Sequence, residues 1–202
     1  MSNLEIDIAQ IHPDWMELWA PELPQTMRSA ILASDRLSQR AGARVAAALG
    51  VSSLADVPVA DDSSLYYQRY MADPYRALRI IGLILHARRL SQVIDGHTLR
   101  QIAGHFPIDD LNIALSCRDL VPASPNDRPV SGDDAAAMLD DAIGAVRLWL
   151  ETLPDPLADR VALTLPKTVQ PMDMSRFKAD TQIYLVETAL LALEEKTKWQ
   201  IH

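Results

Sequence analysis

The stretch Arg79–Pro122, RIIGLILHARRLSQVIDGHTLRQIAGHFPIDDLNIALSCRDLVP, decides the fold. Three short helical patterns follow one another in it with almost no linker. Ile80, Ile81, Ile84 and Leu85 recur at helical spacing, and Leu83 widens the stripe beyond one side, which predicts a central helix. Asp95-Gly96 breaks that pattern and caps a second helix through Leu99 and Ile102 to Gly104. Pro107 opens a third through Leu111, Ala114 and Leu115. Arginines cluster at the front of the block, and no nucleophile elbow, metal cluster or phosphate loop appears. A helical block with a charged surface and no chemistry is suited to docking.

Upstream, Asp73-Pro74 is a start signal: a capping aspartate, then proline where its missing N–H costs nothing. The central helix therefore runs from Pro74 to about Leu90. Ser63 or Ser64 starts a short helix carrying Tyr66, Tyr67 and Tyr70. Val51–Asp62, with Pro58, reads as a linker. Ser34 or Asp35 caps a helix in which Leu37, Ala41, Val45, Ala48 and Leu49 share a face, and Gly50 ends it as a left-handed cap. Pro24 suits the first turn of a helix to about Ala33. Residues 1–23 read as an irregular arm in which Leu4, Ile6 and Ile8 alternate and Trp15 and Trp19 lie among prolines.

Downstream, residues 122–130 (PASPNDRPV) carry three prolines and predict a loop. Ser131 with Asp134 approximates a capping box. Met138, Leu139, Ala142, Ile143, Val146, Trp149 and Leu150 then follow the helical period to about Leu153. Pro154 and Pro156 end that helix and start a short one. Leu165-Pro166 to Pro171 is extended, and Ser175 caps a last helix to about Trp199, with Ile183, Val186, Leu190 and Leu193 inward. Sustained strand alternation, internal repeats and persistent heptads are lacking. The expectation is an all-α, irregular multi-helix single domain over residues 1–202.

The chain has 202 residues, 49% of them hydrophobic, enough to bury a core without disulfides or metals. A net charge of −8 argues against a nucleic-acid partner. That charge is uneven. Between Arg76 and Arg100 lie Arg76, Arg79, Arg88, Arg89 and Arg100 against Asp95 alone. Between Ser131 and Arg160 lie seven acids against Arg147 and Arg160. Such asymmetry favours charge-matched contact between proteins. Arg76, Arg79, Arg88 and Arg89 are therefore the candidate binding patch for an acidic protein surface, although Arg88-Arg89 also suits the negative end of a helix. Trp15 and Trp19 are candidate interface anchors, or anchors of the N-terminal arm. The lone Cys117 excludes an intrachain disulfide and fits a reducing cytoplasm. The N-terminus lacks a basic and apolar leader pattern, and no run of 18 apolar residues exists, so neither a signal peptide nor a membrane span is expected.

The chemistry-bearing residues converge poorly. His97 and His105 are eight apart with Gly104 between them, unlike the paired histidines of a zinc helix. No HExxH, GxGxxG, GxxxxGK[ST] or GxSxG occurs. The adjacent pairs Asp61-Asp62, Asp133-Asp134 and Asp140-Asp141 point about 100° apart on a helix, so they read as solvated starts and faces. No catalytic residue, cofactor or metal is expected.

Four local patterns together resemble the SctK family (YscK and PscK), accessory proteins of the bacterial type III secretion sorting platform. They are HPDW at His12–Trp15, ILASDRLSQRAGARVAAALGV at Ile31–Val51, LILHARRLSQVIDGHTLRQIAG at Leu83–Gly104 and LETLPDPLADRVALTLPK at Leu150–Lys167. Their order and spacing cover most of the chain. The resemblance implies a non-enzymatic cytoplasmic adaptor at the inner face of the membrane, monomeric by itself. It would bridge the cytoplasmic domain of the ring protein SctD to SctQ, which leads through SctL to the secretion ATPase. The alternatives are a secretion chaperone or regulator, and a helical-bundle enzyme with a scattered site around His86, Arg89 and Asp95.

Overall fold

The computed structural model describes residues 10–15, 20–34, 37, 44–45, 47–51, 62–123, 129–167 and 177–195. All regular structure among them is helical: α1 (Gln25–Leu32), α2 (Asp62–Ala72), α3 (Pro74–Leu85), α4 (Ala87–Leu90), α5 (Gly96–His105), α6 (Ile108–Ser116), α7 (Ala135–Leu150), α8 (Asp155–Ala162) and α9 (Ala179–Glu195). Two short 3-10 turns, Arg118–Leu120 and Gly132–Asp134, lie between α6 and α7. The protein is all-α.

The chain groups into two compact units. The first is Met1–Tyr67 with Thr152–Thr168, the second Gln68–Glu151 with Val169–His202. The boundary falls within α2, and Thr152–Thr168 carries the proline-bounded segment back to the first unit. That return of the chain is what a linear reading of periodicity does not see.

In the first unit Ile11, Val45 and Leu163 are buried, with Trp15, Ile31, Leu49 and Val51 packed against them. Backbone bonds secure the arm there: the His12 N–H donates to the Leu163 carbonyl at 2.8 Å. The arm is less irregular than expected, because Pro13, Asp14 and Trp15 make a helical turn. Pro24 caps α1 instead of lying in its first turn. Gly50 takes φ +72°, the left-handed cap its sequence position predicts. Leu37 and Ala48 point outward, although both were expected on the buried face. Most of the helix expected around them, the Val51–Asp62 linker and Trp19 fall wholly or partly outside the described residues.

The second unit is built on α3. Asp73 accepts a hydrogen bond from the Arg76 N–H at 3.0 Å, and Pro74 follows as the first helical residue. Ala77, Leu78 and the run from Ile80 to Leu85 are all buried, because α6, α7 and α9 surround the helix. At Gly82 α3 and α7 cross so closely that an added Cβ would collide with the Met138 carbonyl. The helix expected to reach Leu90 is interrupted at His86 (φ −107°, ψ 6°) and resumes as α4. Trp149 of α7 is fully buried, its ring 6.0 Å from that of Tyr70. Asp95 caps α5 and the Ser131–Asp134 capping box forms, as predicted. Leu99 and Leu115 lie at the surface, since α5 and α6 each bury one face only. In α9, Val186 and Leu190 are buried and Ile183 and Leu193 half-buried. Ser175, Trp199 and residues 124–128 of the proline-rich loop lie outside the described residues.

Candidate functional site

Arg76 and Arg79 are three apart on α3, so they are neighbours on its surface. Asp110, in the first turn of α6, lies between them. Arg76 Nε donates to one carboxylate oxygen at 3.2 Å and Arg79 Nε to the other at 3.3 Å. The Asp110 side chain is 3% exposed, the two arginines 36% and 32%. A buried carboxylate thus holds two guanidinium groups by their inner nitrogens. Among the described residues neither arginine makes another side-chain hydrogen bond or ion pair. Their terminal nitrogens keep their donors, and the trio has a formal charge of +1.

Arg79 borders a cleft of about 420 Å³ closed by the end of α5, the Gly132–Asp134 turn and the start of α7. His105 and Asp133 supply its other ionisable groups. Phe106, Ala136 and Leu139 supply apolar wall. Its volume lies in the lower range of ligand pockets.

A second chain of polar contacts crosses the α3–α4 junction. His86 Nε2 lies 2.6 Å from Asp141 Oδ2, and Arg89 Nη1 lies 2.8 Å from His86 Nδ1. Arginine has no acceptor, so Nδ1 takes that hydrogen bond and Nε2 carries the ring proton toward Asp141. Arg89 Nη2 reaches Asp134 at 3.3 Å, and the same Asp134 oxygen accepts the Ser131 N–H at 3.0 Å. Both ring nitrogens of the buried histidine are committed. The aspartate–histidine contact therefore has an arginine, not a serine or cysteine, on its far side.

The four candidate arginines do not form one surface. Arg89 is turned inward, 11% exposed. Arg88 is half-buried, with the Val121 carbonyl 3.5 Å away. Only Arg76 and Arg79 combine a shared face with spare donors. Asp95 does not join His86 and Arg89 in a cluster. It is exposed and accepts the Thr98 N–H and hydroxyl and then the His97 N–H of α5, which hold its carboxyl below the usual range. Trp15 anchors the arm within the first unit, donating from Nε1 to the Leu165 carbonyl at 2.9 Å.

Asp134, beyond its predicted capping role, and Asp141 belong to pairs read as solvated, and Asp110 is not singled out by the sequence reading. Asp109-Asp110, Asp133-Asp134 and Asp140-Asp141 each turn the first residue out and the second further inward. Divergence on the helix is the reason: when one of an adjacent pair faces water, the other need not. The available signal was the basic series Arg76, Arg79, His86 and Arg89, each a potential partner for an acid on a neighbouring helix.

Cys117 is buried, and no group of histidine, cysteine or acidic side chains among the described residues could hold a metal ion. No helix of the described residues is long and apolar enough to cross a membrane. Neither a family model, a curated protein nor a solved structure matches the chain.

Proposed function

We propose that this protein is a docking adaptor without chemistry of its own, in the role its resemblance to the SctK family implies. It links the cytoplasmic domain of SctD to SctQ, and through SctQ to SctL and the secretion ATPase, at the cytoplasmic face of the inner membrane. The observation that carries the reading is the fate of the charged groups. His86, Arg89, Asp134 and Asp141 satisfy one another, whereas Arg76 and Arg79 are fixed from behind and keep donors for a partner. Oriented charge at a surface serves association rate and register. The enzyme reading finds an Asp141–His86 contact but no nucleophile at its other end. The chaperone reading requires a stable homodimer, which sedimentation of the purified protein would detect.

Affinity purification of the tagged protein from the bacterium that encodes it tests the proposal. SctD and SctQ are expected among the retained proteins. Retention of a small-molecule enzyme complex, or of secreted substrates without either platform protein, would contradict it.

A further inference from the structure

Resting on the adaptor reading, we propose that the cleft beside Arg79 is the docking site for a partner segment bearing one glutamate flanked by apolar residues. Three observations select this occupant. Arg79 is held through Nε by buried Asp110, so its fork is oriented before a partner arrives, and less side-chain freedom is lost on binding. Its terminal nitrogens match the two oxygens of a carboxylate. Arg76, held in the same way by Asp110, does not line the cleft but adds positive charge on the same face of α3, one turn from Arg79.

The apolar preference comes from the wall. Phe106, Ala136 and Leu139 offer carbon surface within a cleft of about 420 Å³, room for a carboxylate side chain and a neighbouring aliphatic one. Asp133 sets the limit on charge. It is exposed and lines the same cleft, so it opposes a second carboxylate or a dianion near the first. A single glutamate among leucines is favoured over an acidic tail or a phosphate group.

The probes are two short capped peptides, one with glutamate and one with glutamine between two leucines. Each is titrated into the isotope-labelled full chain and followed by amide chemical shifts. The glutamate peptide is expected to bind at about millimolar strength and to move the His105, Gly132 and Ala136 amides. The glutamine peptide should bind at least about tenfold more weakly. Arg79→Gln should lose the distinction between them, and Ala136→Trp, which fills the cleft from an exposed position, should lose binding with an unchanged melt. Equal shifts from both peptides, or none at millimolar concentration, overturn the site. SctQ and SctD cytoplasmic domain are then bound in turn to wild type and to Ala136→Trp. If either partner binds wild type and is weakened by the substitution, the docking role is supported. If both bind the variant as they bind wild type, the docking site falls and the adaptor reading stands. If neither binds wild type while the glutamate peptide does, the adaptor reading falls and the carboxylate site stands.

Discussion

Asp110 shows how much one side chain decides here. It is a carboxylate in a helix start, and its neighbour Asp109 looks the same in sequence. Asp109 faces water, whereas Asp110 is buried between two arginines. Asp110→Ala leaves two like charges facing each other without their counter-ion. Because the arginines are one-third exposed, water recovers part of the loss, and we expect about 1–3 kcal/mol of destabilisation in urea unfolding. Asp109→Ala, at an exposed position, should cost less than Asp110→Ala. Equal effects would mean that the buried bridge is energetically idle. Tyr67 gives a pH dependence. Burial pushes its phenol above the ordinary 10.0, with the Arg160 charge pulling partly back. The folded chain then holds this proton when the unfolded chain has released it. Stability is full below the unfolded value and falls as pH rises from there toward the folded one. Tyr67→Phe should flatten the alkaline end of a plot of melting temperature against pH. An unchanged slope would assign the alkaline loss to other groups.

At the scale of elements, punctuation was legible and orientation was not. Asp73-Pro74, Asp95-Gly96, Ser131 with Asp134, and Gly50 each act through local backbone chemistry, so their sequence signals survive any tertiary context. The break at His86 has no such local cause. It coincides with a histidine held from both sides by Asp141 and Arg89, residues a linear reading cannot bring together. Likewise Leu99 and Leu115 fit a helical period but not the faces that α5 and α6 bury. The α3–α7 crossing carries a prediction of its own. Gly82 lets the Met138 carbonyl approach closer than any Cβ allows. Gly82→Ala gains helix propensity yet forces the helices apart, so a net loss of about 1–3 kcal/mol is expected by denaturant melts. A neutral or stabilising result would show that the crossing relaxes freely.

For the whole molecule, the all-helical class was legible because periodicity and caps agree along the chain. The division into two units was not, since it depends on Thr152–Thr168 grouping with the N-terminal portion. The proposed binding surface could be read from the sequence in part. Charge asymmetry pointed to Arg76, Arg79, Arg88 and Arg89, but spacing alone could not tell which of them the fold would consume. With a net charge of −8, a local excess of positive charge is useful to a partner only at short range and moderate salt. The most direct measurement is the association rate of purified SctQ, and separately of SctD cytoplasmic domain, with wild type and with the double substitution Arg76→Gln, Arg79→Gln made together with Asp110→Asn, so that no buried carboxylate is left without a counter-ion. Both partners should bind wild type. For at least one of them the folded triple variant should associate about tenfold or more slowly at low salt, with the gap closing as salt rises. Failure of wild type to bind either partner, or wild-type rates and salt dependence in a folded triple variant, would contradict the account.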